Sequence, residues 1–524
     1  MVVNRLFYAL LLLAAIALPG TAFAQAWLTA DGAWRVAGGN LADTHGSPLV
    51  WQIRPDNAAM LTQKWVFTTT GDVSATPTVE GNAVYVPDWG GMLYRLDGTS
   101  GNPVWSRKMS DYSGKSTSLS RNSPAIAQRT IIVGDMATAT VMAIDKGTGA
   151  LVWSTLLDPL PAAFITASPT VLGGIVYASV SSQEEGLAAT KPGYVPSFRG
   201  TIAALDLETG KILWTFRVVP AGYTGGAVWS SSLAIDVTRG SLYATTGNNY
   251  TVPPAVATCL QAATTDAQMS ACLSPDDHID SILALDLFTG QLKWARRLIG
   301  ADDYLNSCVE PTKDLPCPKP RGPDYDFGAG ANLYTTTIGG QQVDIVGAGQ
   351  KSGMYWALDP DTGATRWATL VGPGGGAGGI QWGTAADGVR VYAAIDDSNA
   401  LPYKLGPADT VTWTAGSWAA LDAATGQILW QIPATGKNPL NPALDAGAQG
   451  GLSVAGGVLY AGSMSGDMVA IDAASGAILW KFASGGTVID GPAIAVGTVF
   501  WGSGYRRFGT GNDKLYAFTA PTPF

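Results

Sequence analysis

Apolar and polar residues alternate along most of this chain in short runs that end at Gly, Pro or Asn. One arrangement returns seven times: an apolar run ends in Asp, Thr-Gly or a near relative follows, and a Trp stands eight residues after the Asp. The clearest copies are LDLETGKILW at 205–214 and LDAATGQILW at 421–430. Two apolar runs joined by a Gly-containing turn predict a β-hairpin. The Asp carboxylate and the Thr hydroxyl can bind the turn amides.

The spacing of these hairpins indicates the architecture. The intervals between successive Asp residues run from 48 to 80 residues, which is enough for four short strands and their loops. Units of this size cannot bury a core alone, so neighbouring units must pack together, with the Trp residues between them. The sequence therefore predicts an all-β, eight-bladed β-propeller. The last repeat, KLYAFTAPTPF at 514–524, stops before an outgoing strand, and we expect the segment around Trp34 to supply it.

The N-terminus is typical of a secretory signal. Arg5 precedes the apolar run LFYALLLLAAIAL, and small residues follow up to Ala24. The run is short for a membrane span, so cleavage after Ala24 is expected. We therefore expect residues 1–24 to be a signal peptide and residues 25–524 to form one propeller domain in the periplasm or outside the cell.

Composition excludes some functions. The chain has 65 Gly, 18 Trp, a charged fraction of 14% and a formal net charge of -9, which makes nucleic acid an improbable partner. It contains no Gly-rich phosphate loop, no GxSxG and no HExxH motif. Its only histidines, His45 and His278, give little support to a Ser-His-Asp hydrolase.

The four cysteines form two close pairs within the two longest intervals between repeats. In an exported protein this arrangement predicts the disulfides Cys259–Cys272 and Cys308–Cys317. A zinc site is the alternative, but the two histidines do not stand at the spacing such a site requires.

Polar residues interrupt the apolar repeat at several strand ends, where a propeller brings its loops together around one axis. They are Arg121 in SLSRNSPAI, Glu184 and Glu185 in SSQEEG, Asn248 and Asn249 in TGNNY, Asp324 and Asp326 in GPDYDF, and Lys351 in GQKSG, with Trp229 nearby in GGAVWSSS. Carboxylate and amide oxygens suit Ca2+, cations suit an anionic ligand, and an aromatic ring suits a flat one. Taken singly, each residue could also be a turn former, a helix cap or a surface charge.

These motifs give the chain a family resemblance. The whole mature chain resembles the pyrroloquinoline quinone (PQQ) dependent alcohol dehydrogenases, or quinoproteins, which are eight-bladed propellers with tryptophan-docking repeats. Within that family it is most similar to polyvinyl alcohol dehydrogenase. Outer-membrane assembly lipoproteins share the repeat, so the site motifs are the more specific part of the resemblance.

The resemblance implies a role for each site residue. Arg121 and Thr166 would bind PQQ, Trp229 would stack under the quinone, and Lys351 would bind the quinone oxygens. The calcium ligands would be Glu184, chosen over Glu185 by register, together with Asn248 and Asp326. Asp326, with Tyr325 before it in place of the family's Trp, would also be the catalytic base.

Two departures from the family pattern have consequences. Many members carry two adjacent cysteines before the Arg, but STSLSRNS stands here, so the residue that covers the second face of PQQ is not identified. The chain has no CxxCH haem motif, so electrons must pass to an external acceptor such as a c-type cytochrome.

Relatives that use lanthanides carry an extra Asp two residues after the catalytic one, where this chain has Gly328, which favours calcium.

The expected function is the oxidation of an alcohol to a carbonyl, with secondary and polymeric alcohols as candidate substrates. The main alternative is a non-catalytic propeller that binds protein partners at the cell envelope. A propeller hydrolase or lyase is a second alternative.

Overall fold

A computed structural model describes residues 32–47, 49–229, 232–309, 315–408 and 410–521. The predicted signal peptide lies outside these ranges. The described chain forms eight sheets of four antiparallel strands each, two of which carry a short fifth strand, Gly46–Ser47 in blade 7 and Ala163–Phe164 in blade 3, and this confirms the eight-bladed, all-β propeller. No helix within the described ranges is both long and apolar enough to cross a membrane.

The blades follow one another in chain order. Within each blade, the first strand is the innermost and the fourth is the outermost. Blades 1 to 4 consist of Thr78–Glu80, Ala83–Pro87, Met92–Asp97 and Pro103–Lys108; Ala125–Ile126, Thr130–Gly134, Ala139–Asp145 and Leu151–Asp158; Thr170–Leu172, Ile175–Ser182, Thr201–Asp206 and Ile212–Arg217; and Ala234–Asp236, Ser241–Thr245, Ser281–Asp286 and Leu292–Arg297. Blades 5 to 8 consist of Asn332–Ile338, Gln341–Gly349, Met354–Leu358 and Thr365–Leu370; Ala385–Ala386, Arg390–Ile395, Ser417–Asp422 and Ile428–Pro433; Leu452–Ala455, Val458–Gly462, Asp467–Asp472 and Ile478–Ala483; and Ala493–Ala495, Thr498–Ser503, Lys514–Thr519 and Thr62–Thr68.

Shorter elements lie in the connecting loops. The helices are α1 (Met109–Ser113), α2 (Glu184–Thr190), α3 (Pro254–Ala262) and α4 (Asp266–Cys272), with 3₁₀ turns at Ala58–Met60 and Asn306–Cys308. The remaining strands are Gly46–Ser47, Ala163–Phe164, Thr224–Gly225, Asn249–Thr251, Tyr403–Leu405 and Val411–Trp413. Both predicted disulfides, Cys259–Cys272 and Cys308–Cys317, are present. The first joins α3 to α4.

The repeated Trp residues hold neighbouring blades together at the rim, as predicted. Each donates its indole N–H to a backbone carbonyl of the next blade at 2.8–3.2 Å. The pairs are Trp65 to Gly98, Trp105 to Lys146, Trp153 to Leu207, Trp214 to Leu287, Trp294 to Pro360, Trp367 to Ala423, Trp430 to Ala473, and Trp480 to Leu61. The contact that closes the blades on one another is therefore the same all around the ring.

The turn that receives each Trp explains the conserved spacing of Asp, Thr and Gly within the repeat. Asp206 Oδ1 accepts from the Thr209 N–H at 2.9 Å and from its hydroxyl at 2.7 Å. Gly210 adopts φ +69°, and a Cβ there would lie 2.5 Å from the Trp153 ring. Only glycine fits both the backbone conformation and the stacked indole.

The ring closes through a different segment from the one predicted. Thr62–Thr68, which contains Trp65, pairs antiparallel with Lys514–Thr519 and completes blade 8. Trp34 instead forms an isolated bridge with Val79 in the first strand of blade 1. The prediction for Trp34 is therefore wrong, and the expected N-terminal closure is made by the strand that begins at Thr62.

Residues 34–47 run past the innermost strands of the blades, on the side that faces the propeller axis. Their carbonyls accept hydrogen bonds from the first strands of blades 1, 2, 4, 5, 6 and 7 in turn, through Trp34, Arg35, Leu41, Ala42, Thr44 and His45. The segment thus crosses the inner strands of most blades, which satisfies edge groups that would otherwise face the axis.

Candidate active site

The predicted site residues occupy two equivalent positions of successive blades. Those just before a first strand are Arg121, Thr166, Trp229 and Asp326, and those just after a second strand are Glu184, Asn248 and Lys351. The first and second strands of a blade are antiparallel neighbours, so both positions lie at the same end of the blade. We call this end of the propeller the site face.

Asp326 is at the centre of the cluster. Its Oδ1 accepts the backbone N–H of Asn248 at 2.7 Å, and its Oδ2 accepts the indole N–H of Trp229 at 2.8 Å. Lys351 Nζ lies 3.3 Å from the same Oδ2. Gly247 allows this approach, because a Cβ there would be 3.0 Å from the Asp326 carboxyl carbon. The structure therefore brings together Asp326, Asn248, Trp229 and Lys351, as the resemblance implied.

Lys351 is buried between two carboxylates. Its Nζ donates to Asp324 Oδ1 at 2.9 Å, and it lies 5.1 Å from the centroid of the Trp229 ring. Burial opposes its charge, but Asp324 and Asp326 outweigh burial and hold the pKa of Lys351 above its ordinary value. The side chain is thus a fixed cation beside Asp326.

Asp324 belongs to the same cluster. Burial raises the pKa of its carboxyl, the Lys351 ammonium opposes that rise, and Asp326 adds to it. The backbone N–H groups of Asp324 and Tyr325 donate to the Asp302 carboxylate at 3.0 and 2.6 Å. Asp302, which the sequence patterns did not indicate, therefore holds the backbone of Asp324 and Tyr325 in place.

The two glutamates of α2 differ in environment, and the structure does not bring Glu184 to the cluster. The Glu184 carboxylate accepts backbone N–H bonds from Ser197 and Phe198 at 2.8–3.0 Å, and the Tyr194 hydroxyl at 2.9 Å. The Glu185 carboxylate instead interacts electrostatically with Asp324, Asp326 and Lys351. Burial first, and then these acidic neighbours, raise the pKa of Glu185 well above its usual value. The hydrogen bonds of Glu184 thus lie away from the cluster, and its assignment as a metal ligand stays a prediction.

Asn248 presents a fixed amide. Its Nδ2 donates to the Asn249 carbonyl at 2.9 Å and to the Tyr304 carbonyl at 3.0 Å. Because both amide hydrogens are used, the orientation of the amide group is set and its oxygen is left as an acceptor. Among the described residues, no group of three or more His, Cys, Asp or Glu side chains is arranged to hold a metal ion.

Arg121 and Thr166 lie on the other side of Trp229. Thr166 donates its hydroxyl to the Trp229 carbonyl at 3.3 Å. The Arg121 guanidinium has no acidic partner within the described ranges, and its carbon lies 3.9 Å from the centroid of the Trp382 ring. An enclosed guanidinium without a counter-anion indicates a site for an anionic ligand.

Trp382 is a site residue that sequence reasoning missed. Its ring meets that of Trp229 edge to face, with 5.3 Å between the centroids, and its buried indole N–H has no acceptor. Its φ of +55° is strained for a bulky side chain. The signal was available, because Trp382 precedes the first strand of blade 6, as Trp229 precedes that of blade 4.

A cavity of about 290 Å³ opens beside the cluster. Its lining residues are Met136, Phe164, Ser182, Gln183, Glu185, Gly186, Leu187, Asn306 and Arg507. Glu185 is common to the cavity and to the acidic cluster, so the cavity reaches the site from the side of blade 3.

Comparisons with known proteins agree with this geometry. A family profile described as outer membrane protein assembly factor BamB, of the PQQ type, matches residues 25–193 and 414–522, more than half of the chain. A polyvinylalcohol dehydrogenase of Sphingopyxis sp. (strain 113P3) is 31% identical over 430 residues, which cover 77% of this chain and 60% of the relative. A 1-butanol dehydrogenase (cytochrome c) of Thauera butanivorans is 26% identical over 400 residues, which cover 72% of this chain and 52% of the relative.

The solved structures agree on the fold. The quinohemoprotein alcohol dehydrogenase of Comamonas testosteroni superposes with a TM-score of 0.70 at 21% identity, covering 97% of this chain and 84% of that one. The chain spans about 60% of the length of the polyvinylalcohol dehydrogenase. The family profile, the sequence relatives and the eight blades together show that the chain belongs to the family of PQQ-type propellers that includes the quinoprotein alcohol dehydrogenases.

Proposed function

We propose that this protein is a PQQ- and calcium-dependent dehydrogenase that oxidises an alcohol to a carbonyl. The observation that carries the proposal is the buried cluster in which Asp326 accepts hydrogen bonds from Asn248 and Trp229 beside the Lys351 ammonium. Burying several charged groups together costs desolvation free energy, which lowers the stability of the fold. Such a cluster is therefore typical of a functional site.

The residues present fit PQQ, a flat quinone that carries carboxylates. Arg121 lies against the cluster without an acidic partner, and Thr166 lies beside Trp229. The buried indole N–H of Trp382 and hydroxyl of Tyr505 have no hydrogen-bond partner. Buried donors are normally satisfied, so these two groups support an acceptor-rich ligand at this place. The Trp229 and Trp382 rings suit its flat faces.

Calcium fits the acceptors on the opposite side. Glu185, Asn248 and Asp326 offer two carboxylates and an amide oxygen, the ligand type that Ca2+ prefers. Glu185 replaces Glu184 in this set. Gly328 stands two residues after Asp326, so the position of a further carboxylate is empty and a divalent ion is favoured. When bound, PQQ supplies the oxidant and calcium supplies a Lewis acid.

The chain's own residues would supply the general base, its orientation and the stabilisation of charge. Asp326 accepts the proton of the alcohol hydroxyl as general base. Asn248 N–H and Trp229 Nε1–H hold that carboxylate in one orientation. Lys351 keeps its charge beside the carboxylate and stabilises negative charge that develops on an oxygen in the site.

Substrate, partner and location follow from the relatives. Because one relative is named a polyvinylalcohol dehydrogenase, we propose a secondary or polymeric alcohol as substrate. Another relative is named with cytochrome c, and CxxCH is absent from this sequence, which supports an external cytochrome-type acceptor. The signal-like residues 1–24 support export to the periplasm.

A protein-binding scaffold is the second candidate, since the matching family profile is described as an outer-membrane assembly factor. A scaffold does not require Lys351 to be buried between Asp324 and Asp326. The two functions separate in one assay. The dehydrogenase should reduce an artificial dye when apoprotein receives PQQ, Ca2+ and a panel of primary, secondary and polymeric alcohols, and a scaffold should not. Activity with La3+ but not with Ca2+ would refute the choice of metal.

A further inference from the structure

Arg507 is a cation of the site face that has no counter-charge. It lies in the loop after the second strand of blade 8, four residues beyond Ser503, at the same end of the blade as Lys351 in blade 5. Its neighbour Arg506 is ion-paired with Asp72 at 2.6 Å and Asp513 at 2.5 Å. Arg507 forms no ion pair within the described ranges, and its guanidinium lies 5.5 Å from the Phe508 ring centroid. The two arginines therefore differ: Arg506 fixes the loop, and Arg507 is available to a ligand.

Arg507 faces the cavity that reaches the site. It lines the same space of about 290 Å³ as Glu185, so this cavity has a carboxylate on the blade 3 side and a guanidinium on the blade 8 side. Phe164, Met136 and Leu187 supply apolar surface between them. A flat, partly apolar ligand that binds a cation at one end and presents carboxylates at the other would match this lining.

Tyr505 links Arg507 to the Arg121 side of the site. Its ring belongs to the apolar cluster against which Trp382 packs, and Trp382 is the ring on which Arg121 stacks. Its buried hydroxyl faces Arg121 and has no acceptor for its proton. Burial, and to a smaller extent the positive charge of Arg507, lower the pKa of Arg121. Two neighbouring guanidiniums without an anion repel each other, and a carboxylate between them would remove the repulsion.

We propose that Arg507, together with the Tyr505 hydroxyl, binds a carboxylate of PQQ from blade 8, beside Arg121. The inference rests on the proposed function. It assigns the cofactor rather than the alcohol because the Tyr505 hydroxyl faces Arg121. The cofactor would then be held by charged groups of blades 2 and 8, the second of which family motifs do not indicate.

Cofactor affinity measured without any alcohol tests the proposal. Full-length apoprotein in Ca2+ is titrated with PQQ, and binding is followed by calorimetry or tryptophan fluorescence. Arg507→Ala should weaken PQQ binding about tenfold or more, because one charge-assisted interaction is lost. Arg507→Lys should restore part of the affinity, and Tyr505→Phe should weaken it less than Arg507→Ala.

Arg129→Ala is the matched control. Arg129 is also exposed, also lies in a loop, and is at the opposite end of blade 2 from Arg121. The variant removes the same charge and should leave the PQQ affinity unchanged. In addition, the trimethyl ester of PQQ, which has no carboxylates, should bind wild type and Arg507→Ala equally.

Two results would overturn the proposal and leave the dehydrogenase function standing. One is equal PQQ affinity of wild type and Arg507→Ala. The other is a variant that binds PQQ normally but shows a raised KM for hydroxy acids alone, which would place Arg507 in substrate binding. If wild type bound no PQQ, the proposed function itself would fail.

Discussion

The rim and the site face of this propeller use equivalent positions in opposite ways. At the rim, eight Trp residues make one contact repeatedly, an indole N–H to a carbonyl of the next blade. On the site face, equivalent positions carry Arg121, Trp229, Asp326 and Trp382, which are all different in chemistry. Identical residues at the repeat positions of the rim make the ring regular, and different residues at the repeat positions of the site face form the site.

The acidic residues show the same contrast. At the rim, the hydrogen bonds of the turn, led by the Thr148 backbone N–H, lower the pKa of Asp145. On the site face, burial raises the pKa of Asp324 and Asp302 above the usual range. Asp324 and Trp382 also adopt positive φ. Strain and buried charge are thus concentrated where the ligand is expected, while the rim supplies stability.

Removing the base should have the largest effect. Asp326→Asn keeps the shape of the side chain but cannot accept the hydroxyl proton, so turnover of the reconstituted enzyme should fall about 100-fold or more. Thermal unfolding should change little, and PQQ should still bind. Asp324→Asn is the matched variant. If Asp324→Asn abolished turnover and Asp326→Asn did not, the assignment of the base would be reversed.

The two glutamates of α2 should separate metal binding from folding. Glu185→Gln should weaken Ca2+ binding about tenfold or more, measured by calorimetry in the presence of PQQ. Glu184→Gln should instead lower the free energy of unfolding by about 1–3 kcal/mol, because the backbone N–H donors of Ser197 and Phe198 lose a charged acceptor. Loss of Ca2+ affinity in Glu184→Gln with none in Glu185→Gln would restore the register first expected.

A rim substitution should give the opposite profile. Trp214→Phe removes the indole N–H bonded to the Leu287 carbonyl at 3.0 Å, and that carbonyl keeps the Tyr177 hydroxyl as a donor at 3.2 Å. The free energy of unfolding should fall by about 0.5–1.5 kcal/mol, as measured by denaturant titration, because one hydrogen bond is lost. Turnover per folded molecule should stay at the wild-type value. A fall in turnover without a change in stability would contradict the assignment of a stabilising role to the rim and a catalytic role to the site face.

The smallest expected effect concerns pH. Burial, with the neighbouring Asp397, raises the pKa of Asp396 to about 7, although a hydrogen bond from Gln449 opposes the rise. The folded state therefore holds this proton more tightly than the unfolded state, whose Asp titrates near 3.9. Stability from this group is complete below about pH 4 and is lost as the pH rises to about 7. Asp396→Asn should flatten the dependence of the apoprotein Tm between pH 5 and pH 8, and an unchanged slope would contradict this.

Sequence predicted the repeated part of the fold well, because hairpin turns and Trp positions are local signals. It misassigned the strand that closes the ring, although KWVF around Trp65 matches LWTF around Trp214. Trp34 lies in a segment whose partners are distant in sequence, and local pattern carries no information about such pairing. The choice between Glu184 and Glu185 is difficult from sequence for a similar reason, since adjacent residues at the start of a helix point about 100° apart.

The site was predictable where a family motif marks it, as for Asp326 and Lys351, and not elsewhere. The repeat position of Trp382 can be read from the sequence, but the contacts of Asp302 with residues 324–325 and the position of Arg507 in the Glu185 cavity appear only in the three-dimensional structure.

The most direct test of the central claim is a spectrum of the loaded protein under anaerobic conditions. Apoprotein reconstituted with Ca2+ and PQQ is mixed with a secondary alcohol, and the absorbance of the bound quinone is followed. The account predicts one PQQ bound per chain and its reduction by the alcohol, rapid in wild type and in Trp214→Phe and slower by about 100-fold or more in Asp326→Asn. Stoichiometric PQQ that no primary, secondary or polymeric alcohol reduces, or equal rates in wild type and Asp326→Asn, would contradict it.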